Sequence, residues 1–406
     1  MKPPHIKIIY VIWDYFPPWR LDVGHLFGDQ LPRLGATVTW SMWRDKPGPC
    51  QSCVWQGQRV LLPMSVGRSG RGARIISRLT HSVCDVLLFF RMLFGERYDI
   101  VQVRDVRYMA AFFGWLVARI RGSKFTYWLS YPSPEHCLEL ARGSHGLLRV
   151  LRWLQGTTSY WFVYKWLMHR ADHVFVQSEQ MKRDVSAYGV PMDKMTAVPM
   201  GVPPALLDWQ ASNPTEVVPG RVVYVGTMAR VRGLETLIEA FAQVVAQRPD
   251  ASLIMVGDGD LPSERAFLEQ EVSRLGISDH VRFTGFVPME EAWRYAASAQ
   301  ICVSPIYPNF VLRAGSPTKL NEYFALGRPV VANDHPEQST AIDDSGAGLC
   351  VPWGTDDFAG AILQLLNNPQ MAETMAAKGP AWVKENRTYD RIANQVMARY
   401  QSLIAK

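Results

Sequence analysis

Apolar and polar positions alternate along the chain in a way that predicts strands and helices in turn. Short apolar runs rich in β-branched and aromatic residues are followed by stretches in which apolar residues recur every three or four positions. The first pattern predicts strands buried on both faces, and the second predicts amphipathic helices. In the first half, strands are predicted at 6–13, 36–42, 99–103, 124–129 and 172–177, and helices at 74–93, 108–121 and 179–188.

This pattern stops at 201–220, where prolines and glycines concentrate and predict a linker. It then resumes, with strands predicted at 221–225, 251–256, 281–283, 300–303 and 329–332, and helices at 234–247, 264–275, 290–297 and 318–326. We therefore predict an α/β fold with two doubly wound parallel-sheet domains. The predicted parts are a domain at 1–200, a linker at 201–220, a domain at 221–380, and a C-terminal helix at 381–406 that crosses back to the first domain.

Composition supports two folded domains and adds a charge asymmetry. The chain has 406 residues, which is too long for one ordinary hydrophobic core. Hydrophobic residues make up 48% and charged residues 20%, and these values are typical of folded proteins. Residues 1–200 contain 26 Lys and Arg against 14 Asp and Glu, while the remainder contains 17 against 23. Arg68, Arg71, Arg74 and Arg78 form a basic cluster, either a solvated face or a site for an anionic partner such as lipid. No nucleic-acid-binding motif accompanies it, so we expect no nucleic-acid partner.

Cysteine usage and hydropathy indicate a cytoplasmic protein without a metal site. Cys50 and Cys53 form the only C-x-x-C pair, and no second pair lies at zinc-finger spacing, so we interpret the pair as incidental. The other four cysteines are scattered, which fits a reducing compartment. No run of 18 apolar residues is present, so no membrane-spanning helix is expected.

The strand predicted at 221–225 leads into a glycine-containing loop that suits an anion. Gly226 and Thr227 follow the strand, and a helix is predicted to begin near Gly233. Glycine lets the backbone approach a ligand closely, and a helix N-terminus offers free N–H groups to phosphate. Arg230 and Arg232 add positive charge there. A plain turn with solvated arginines is the alternative.

A second loop opens the helix predicted at 318–326. Gly315, Ser316 and Pro317 precede Thr318, and serine suits a helix cap while proline suits the first turn. Lys319 stands at the helix end that disfavours cations, which makes sense if an anion binds nearby. Glu322, one turn further on, could accept hydrogen bonds from both hydroxyls of a ribose. A helix cap with a surface ion pair is the alternative.

These segments resemble the donor-binding domain of the retaining glycosyltransferases of family four, which have the GT-B architecture. The run from Pro317 through Glu322 to 325–332 resembles bacterial polysaccharide-type members, and 176–182, 198–202, 256–259 and 279–287 also fit. The resemblance implies two Rossmann-like domains facing each other across a cleft, a nucleotide diphosphate sugar as donor, retention at the anomeric carbon, and no metal or cofactor. It implies catalytic roles for Arg232, Lys319 and Glu322, and donor binding by Gly226, Thr227, Arg230, Gly257, Phe286, Gly315, Ser316, Pro317 and Thr318.

The chain departs from the family pattern at two positions. The first glutamate of the family's Glu-x7-Glu segment falls on Ala314, and the first basic position after Gly226 is Thr227. Arg230 or Arg313 could supply the missing charge. These departures keep two alternatives open, an inactive nucleotide-sugar-binding partner subunit and a sugar-nucleotide epimerase of the same architecture.

Acceptor-side residues are predicted where strands of the first domain end. Arg104 and Asp105 follow one strand, and Ser130, Tyr131, Glu135 and His136 follow the next. The carboxyl ends of parallel strands are where ligands bind in such folds. For Glu135 and His136, a place at a helix start is the alternative.

Three aromatic and basic stretches, at 86–97, 147–154 and 160–167, suit either a bilayer interface or the core. From them and the family resemblance we expect a lipid-linked glycan acceptor in cell-surface polysaccharide synthesis and a peripheral location on the anionic inner face of the cell membrane. The donor sugar, its base and the oligomeric state are left open.

Overall fold

The computed structural model describes residues 5–65 and 71–405, and within 71–79 it describes the backbone alone. The chain divides into two compact units. Unit 1 comprises Met1–Pro199 together with Tyr389–Lys406, and unit 2 comprises Met200–Thr388. Each unit contains a largely parallel sheet with helices, so the predicted fold class is confirmed.

Unit 1 contains an eight-stranded sheet whose central strands are almost wholly apolar and buried. Its strands are Ile6–Phe16 (β1), Ala36–Arg44 (β2), Gln51–Trp55 (β3), Gln58–Leu62 (β4), Ile100–Arg104 (β5), Lys124–Leu129 (β6), His173–Val176 (β7) and Met195–Ala197 (β8). The order is β3-β4-β2-β1-β5-β6-β7-β8. Only β3 and β4 pair antiparallel among these strands, through a turn at Gln56 and Gly57, which both have positive φ.

The edge hairpin was missed by the sequence analysis because β3 is mostly exposed and lacks a buried apolar run. The unit 1 helices before residue 200 are Leu31–Arg33 (α1), Arg71–Phe94 (α2), Tyr108–Arg121 (α3), Ser133–Arg142 (α4), Gly146–Tyr160 (α5), Met168–Arg170 (α6) and Glu179–Ala187 (α7). Wider π-type turns cover Asp22–Gln30 and Trp161–Leu167, and a 3-10 turn covers Met192–Lys194. Of the predicted basic cluster, Arg68 lies outside the described residues, as do the side chains of Arg71, Arg74 and Arg78.

Unit 2 contains a six-stranded, all-parallel sheet. Its strands are Val218–Val225 (β9), Ser252–Val256 (β10), Val281–Gly285 (β11), Ala299–Ser304 (β12), Val330–Asn333 (β13) and Gly348–Val351 (β14). The order is β11-β10-β9-β12-β13-β14, so the strand order reverses beside β9, as in doubly wound folds. Its helices are Pro204–Ser212 (α8), Glu235–Gln247 (α9), Pro262–Arg274 (α10), Met289–Ala297 (α11), Thr318–Ala325 (α12), Pro336–Ser345 (α13), Thr355–Leu366 (α14), Pro369–Ala376 (α15) and Gly379–Asn386 (α16). Three 3-10 turns cover Arg230–Arg232, Ser278–His280 and Leu312–Ala314.

The predicted linker at 201–220 is instead part of unit 2. Helix α8 occupies its centre, and Val202 and Leu206 are fully buried in a core cluster that includes Tyr323 and Phe324 of α12. Strand β9 begins at Val218. The prolines misled the prediction because Pro203 and Pro204 stand at the start of α8, where a missing N–H costs nothing.

The predicted C-terminal helix at 381–406 is two helices that belong to different units. Helix α16 belongs to unit 2, while Tyr389–Ile404 (α17) belongs to unit 1. The buried face of α17 packs into the same core cluster as β1 and β2. The Tyr400 hydroxyl donates a 2.5 Å hydrogen bond to Oε1 of Gln102 on β5. The chain's last segment is therefore structural in unit 1.

A matched pair of substitutions on α17 tests this packing. Ala393 is fully buried in the unit 1 core, whereas Ala398 on the same helix is exposed. We expect Ala393→Asp to lower the free energy of unfolding of unit 1 by at least about 3 kcal/mol, because it buries an unpaired carboxylate. Ala398→Asp should change it by less than about 0.5 kcal/mol. Urea unfolding monitored by tryptophan fluorescence measures both, and equal effects would contradict the packing.

Candidate functional site

In unit 2, three strand-end turns lie against one another through glycine backbone. Gly257, after β10, has φ +124°, and a Cβ at this position would lie 2.1 Å from the carbonyl oxygen of Gly226. The Gly226 N–H donates to the Val256 carbonyl at 2.8 Å, and the Gly257 N–H donates to the Gly285 carbonyl at 3.1 Å. Only glycine allows this approach at 257. The turns after β9, β10 and β11 thus form one fixed surface.

A pocket of about 220 Å³ opens at the carboxyl ends of β9, β12 and β13. Ligands of open parallel sheets bind at this edge. Many of the residues predicted for donor binding lie here, together with residues that the sequence analysis did not single out. The lining consists of Tyr224, Arg232, Ser304, Pro305, Ile306, Leu312, Gly315, Ser316, Pro317, Thr318, Lys319 and His335.

Two cations face this pocket without an ion-pair partner among the residues that the structure describes. The Arg232 Nε donates to the Thr227 Oγ1 at 2.7 Å, which fixes the guanidinium. The Lys319 side chain lies over Gly226, since a Cβ on that glycine would be 2.3 Å from Lys319 Cε. Burial, and then the charge of Arg232, lower the pKa of Lys319 to about 8, although Glu322 opposes the shift. The site therefore holds its positive charges at a cost that a bound anion would relieve.

The start of α12 completes the positive end of the pocket. Pro317 precedes the helix, and no described side chain caps it. The first-turn N–H groups therefore remain available to an anion. The sequence predicted that Ser316 caps this helix, but the structure shows no such cap. The Ser316 Oγ instead accepts a 2.9 Å hydrogen bond from the Met200 N–H, while the Asn321 Nδ2 donates to the Met200 carbonyl at 3.0 Å.

Glu322 lies in an adjoining apolar pocket of about 180 Å³. Val225, Met289, Trp293 and Tyr323 are among its neighbours there. Burial raises the pKa of Glu322, and the charge of Lys319 opposes this. The Tyr323 hydroxyl accepts a 2.7 Å hydrogen bond from the Val225 N–H and ties this wall to β9. In this otherwise apolar pocket, the Glu322 carboxylate could accept hydrogen bonds from a polar group of a ligand.

The structure also places the remaining predicted donor residues. Thr227 orients Arg232 and accepts through its carbonyl a 3.0 Å hydrogen bond from Tyr224. Arg230 does not line the pocket; its guanidinium stacks over the Phe267 ring at 3.5 Å. Phe286 is an exposed ring outside the pocket lining, 70% accessible. Arg313, the other candidate for the missing charge, lies over Phe310 with 4.4 Å between the guanidinium carbon and the ring centroid.

The back wall of the pocket is a buried polar network that the sequence analysis missed. The Ser304 hydroxyl donates to Gln338 Oε1 at 2.5 Å. The Asn333 side chain makes two hydrogen bonds to the backbone of Ile306. Its Oδ1 accepts from the Ile306 N–H at 2.8 Å, and its Nδ2 donates to the Ile306 carbonyl at 3.0 Å. Ser304 and Asn333 are polar residues at strand ends, and that was the available signal. The network fixes the loop after β12 against the loop after β13.

Unit 1 gathers charged side chains where β1, β5 and β6 end. Arg104 is fully buried, and its Nη1 lies 2.7 Å from Asp22 Oδ2. Burial alone would raise the pKa of Asp22, but Arg104 and Arg20 outweigh it and hold that pKa below its usual value. Arg104 Nε donates to Ser130 Oγ at 3.2 Å, and Arg20 Nη2 donates to the same oxygen at 3.2 Å. The structure thus places Arg104 beside Ser130 and adds Arg20 and Asp22 to the cluster.

Asp105 is the strained member of this cluster. Its φ of +51° is rare for a residue other than glycine. The Ser130 N–H and hydroxyl donate to its two carboxylate oxygens at 2.7 and 2.5 Å, and the Tyr127 hydroxyl donates to its carbonyl at 2.6 Å. Backbone strain held by several hydrogen bonds is typical of functional positions.

The other predicted acceptor-side residues lie apart from this cluster. Tyr131 and His136 form an edge-to-face ring pair with centroids 5.5 Å apart. Glu135 accepts a 2.9 Å hydrogen bond from the Tyr164 hydroxyl, and burial raises the pKa of the Glu135 carboxyl. Helix α4 places Glu135 in its first turn, which matches the structural alternative.

Within residues 5–65 and 71–405, no three His, Cys, Asp or Glu side chains lie close enough to share a metal ion. Over the same residues, no helix combines the length and apolarity needed to cross a bilayer.

Solved structures define the class of protein. Sucrose-phosphate synthase from Thermosynechococcus elongatus superposes with a TM-score of 0.73 over 98% of this chain and 99% of its own, at 20% identity. HepE from Anabaena, solved with UDP-glucose, gives a TM-score of 0.65 at 17% identity, over 98% of this chain and 100% of its own. These similarities and the two parallel-sheet units define a protein with the GT-B fold.

Sequence comparison gives the family. The family model for the glycosyl transferase 4-like domain matches residues 26–201, and the model for glycosyl transferases group 1 matches residues 219–368. The chain therefore belongs to the group 1 glycosyltransferases of the family-four type, and the resemblance noted in its motifs is confirmed.

Two curated relatives match over part of the chain. The chain is 31% identical over 157 residues to an alpha-D-kanosaminyltransferase of Streptomyces kanamyceticus, which is 38% of either chain. It is 27% identical over 209 residues to the amylovoran biosynthesis glycosyltransferase AmsK of Erwinia amylovora, covering 49% of this chain and 50% of AmsK. The chain thus spans half or less of the length of these two relatives.

Because the charge on Lys319 is unfavourable, we expect the wild type and the variant Lys319→Met to differ in stability in a pH-dependent way. Below about pH 8 the lysine is charged in both the folded and the unfolded protein, and the folded state carries the cost of burying it. Between about 8 and the ordinary value of 10.5 the unfolded chain binds more protons, so stability rises with pH. Lys319→Met lacks this cost. We expect it to be about 1–2 kcal/mol more stable than the wild type at pH 7, after allowance for partial exposure.

Parallel urea titrations of both proteins at pH 7 and pH 10 measure this difference. The advantage of Lys319→Met should shrink at pH 10, while the effects of groups that do not interact with Lys319 cancel between the two proteins. An advantage that is absent at pH 7, or that grows with pH, would contradict the assignment of Lys319 as a partly buried cation without an ion-pair partner.

Proposed function

We propose that the chain is a retaining glycosyltransferase that binds the diphosphate of a nucleotide sugar in the unit 2 pocket. The observation that carries this proposal is the pair of cations, Arg232 and Lys319, facing the uncapped start of α12. A diphosphate supplies negative charge that relieves the repulsion between the two cations. Its oxygens can also accept hydrogen bonds from the free N–H groups of the helix. Glu322, one helical turn away, would accept the ribose hydroxyls.

The same groups suit the chemistry of transfer. As the bond between the anomeric carbon and the phosphate oxygen breaks, its electron pair moves to the phosphate. Arg232, Lys319 and the helix N–H groups would stabilise that charge. The acceptor hydroxyl attacks the anomeric carbon on the face that the phosphate leaves, and its proton passes to the departing phosphate oxygen. Protein cations and amides meet the diphosphate charge in this mechanism, so it needs no metal ion.

For the acceptor we propose the polar cluster of unit 1. Short contacts at strand ends fix Arg20, Arg104, Asp22, Asp105 and Ser130 to one another. Their charges are already balanced within the cluster, which suits a neutral, hydroxyl-rich ligand better than an anion. Together with the AmsK relative, whose name places it in amylovoran biosynthesis, this supports a glycan acceptor in polysaccharide synthesis. HepE, solved with UDP-glucose, supports a uridine nucleotide as donor.

A second candidate function is that of an inactive nucleotide-sugar-binding partner subunit. Ala314 favours it, since a buried methyl group stands where the family has a glutamate. Thr227 carries less weight, because its hydroxyl orients Arg232. Donor binding without transfer or donor hydrolysis, across a panel of glycan acceptors, would favour this candidate over catalysis.

Alanine variants of the pocket test the proposed function. Arg232→Ala and Lys319→Ala each remove a charge-assisted contact to the diphosphate, so we expect each to weaken UDP or GDP binding by roughly 10- to 100-fold. Glu322→Ala should weaken nucleotide binding to a similar extent if its carboxylate accepts the ribose hydroxyls. Isothermal titration calorimetry with UDP and GDP, followed by transfer assays from UDP-glucose and other nucleotide sugars, measures the losses.

Arg274→Ala serves as the control, because Arg274 is an exposed arginine of unit 2 paired with Glu271. It should bind nucleotides as the wild type does. Thermal unfolding of each variant checks that the fold survives. Wild-type affinity and transfer in both Arg232→Ala and Lys319→Ala would refute this use of the pocket.

We further propose that unit 1 contacts an anionic membrane surface through α5. This helix exposes a series of large apolar side chains to water, beside Arg149 and Arg152. The exposed residues are Leu147, Leu148, Val150, Leu151, Trp153 and Leu154. An exposed apolar face with flanking arginines is typical of helices that lie in a bilayer interface. The predicted stretch at 160–167 contributes less, because Val163, Tyr164 and Leu167 are buried.

Vesicle sedimentation tests the membrane contact. We expect the protein to sediment with phosphatidylglycerol vesicles at low salt and less with phosphatidylcholine vesicles. The double variant Leu147→Glu, Leu151→Glu should reduce binding at least about tenfold, because two carboxylates oppose both burial and the lipid charge. Leu261→Glu, at an exposed apolar position of unit 2, is the control. Equal binding by all three proteins, or none by the wild type, would remove α5 from the proposal.

A further inference from the structure

One buried side chain of the unit 2 pocket is not used by the diphosphate or ribose contacts. His335 lies after β13, immediately before Pro336 begins α13, and it lines the same pocket as Lys319 and Ser304. Only 4% of His335 is accessible. Its backbone N–H donates to the Asn333 carbonyl at 2.7 Å, and Asn333 is itself tied to Ile306. The position of the ring is therefore fixed by the back wall.

The hydrogen bonding of His335 defines its tautomer. Nε2 lies 3.0 Å from the Leu312 carbonyl oxygen, which can only accept, so Nε2 carries the proton. Nδ1 is then a lone-pair acceptor in the neutral ring. Among residues 5–65 and 71–405, none offers a hydrogen bond to this buried atom. Burial, which the Leu312 bond and Asp334 oppose, lowers the pKa of His335, so the neutral form prevails at pH 7.

An acceptor that is buried without a partner costs free energy unless a ligand supplies a donor. Phosphate oxygens cannot supply one, since at neutral pH they mainly accept hydrogen bonds. A sugar hydroxyl can. We propose that His335 Nδ1 accepts a hydrogen bond from a hydroxyl of the donor sugar and so determines which sugar the site takes. This inference rests on the proposed function.

The surroundings of His335 fit this role. Through Leu312 the ring is joined to the Leu312–Ala314 turn, whose last residue presents only a methyl group. Gly315 and Ser316 follow and lead directly to the proposed diphosphate-binding start of α12. A sugar attached to a diphosphate at that helix would lie within the same pocket of about 220 Å³. In the described part of this lining, His335 offers the only imidazole acceptor.

Two substitutions separate the nitrogens of His335. In His335→Asn, the side-chain oxygen can take the place of Nδ1, while the bond to Leu312 is lost. In His335→Gln, the terminal amide can still donate to Leu312, while the acceptor at the Nδ1 position is lost. Both variants keep an uncharged polar side chain of similar size. A role confined to supporting the Leu312 turn would favour Gln over Asn, and the proposed sugar contact favours Asn over Gln.

The experiment measures, by calorimetry on the full chain, the affinity for a nucleotide sugar relative to its nucleoside diphosphate. UDP-glucose, UDP-galactose, UDP-N-acetylglucosamine and GDP-mannose are compared with UDP and GDP, and the sugar with the largest ratio is taken forward. We expect His335→Gln to lower that ratio roughly tenfold with unchanged UDP or GDP affinity, and His335→Asn to hold it within about threefold. One monodeoxy analogue of the chosen sugar should abolish the difference between the wild type and His335→Gln.

The outcomes distinguish this inference from the proposed function. If the wild type binds neither UDP nor GDP, nor any of the four nucleotide sugars, the proposed function fails and the inference fails with it. If nucleotides bind but His335→Gln leaves the ratio unchanged, or lowers both affinities equally, the sugar contact is refuted while the diphosphate site stands. The sugar contact is also refuted if no sugar raises the affinity above that of its nucleoside diphosphate, or if no deoxy analogue removes the difference.

Discussion

The repulsion between Arg232 and Lys319 is the constraint on which the unit 2 site depends. Two cations that share a partly buried pocket destabilise the protein in the absence of an anion. Burial first, and then the charge of Arg232, lower the pKa of Lys319. The fold imposes this cost through fixed backbone. Lys319 belongs to the first turn of α12, and Thr227 holds Arg232 by a 2.7 Å hydrogen bond. Both cations therefore lie at the pocket before any anion binds, which is the arrangement that electrostatic preorganisation requires.

The glycine contacts of unit 2 explain how the charges come to face one pocket. Because Gly257 approaches the Gly226 carbonyl more closely than any Cβ would permit, the turn after β9 lies flat against the turn after β10. Gly226 in turn leaves room for the Lys319 side chain. The buried contacts of Ser304, Asn333 and Gln338 fix the opposite wall. Sequence-distant strand ends are thus held together by contacts that tolerate few other residues.

The alternation of apolar runs and helical patterns was sufficient to predict two parallel-sheet domains, because strands buried on both faces carry a strong local signal. Arg232 and Lys319 stand at predicted helix starts, and Glu322 lies one turn into the second of these helices, so local sequence was sufficient to select them as candidates. His335 and Asp22 were not selected, because their importance arises from burial and from partners far away in sequence. The linker prediction failed for a related reason, since prolines mark both loops and helix starts.

The net charge of each half of the chain does not single out the unit 2 pocket. Residues 1–200 are strongly basic, yet their buried cations are neutralised locally, Arg104 by Asp22 and Arg107 by Asp85. The remainder is acidic overall, yet it contains the pocket whose two cations have no ion-pair partner in the described structure. A charged ligand is attracted by the charge left uncompensated at a site, and a count over a domain does not measure that. The same reasoning divides the proposed substrates between the units. The charged donor suits the uncompensated pocket of unit 2, and an uncharged, hydroxyl-rich acceptor suits the balanced cluster of unit 1.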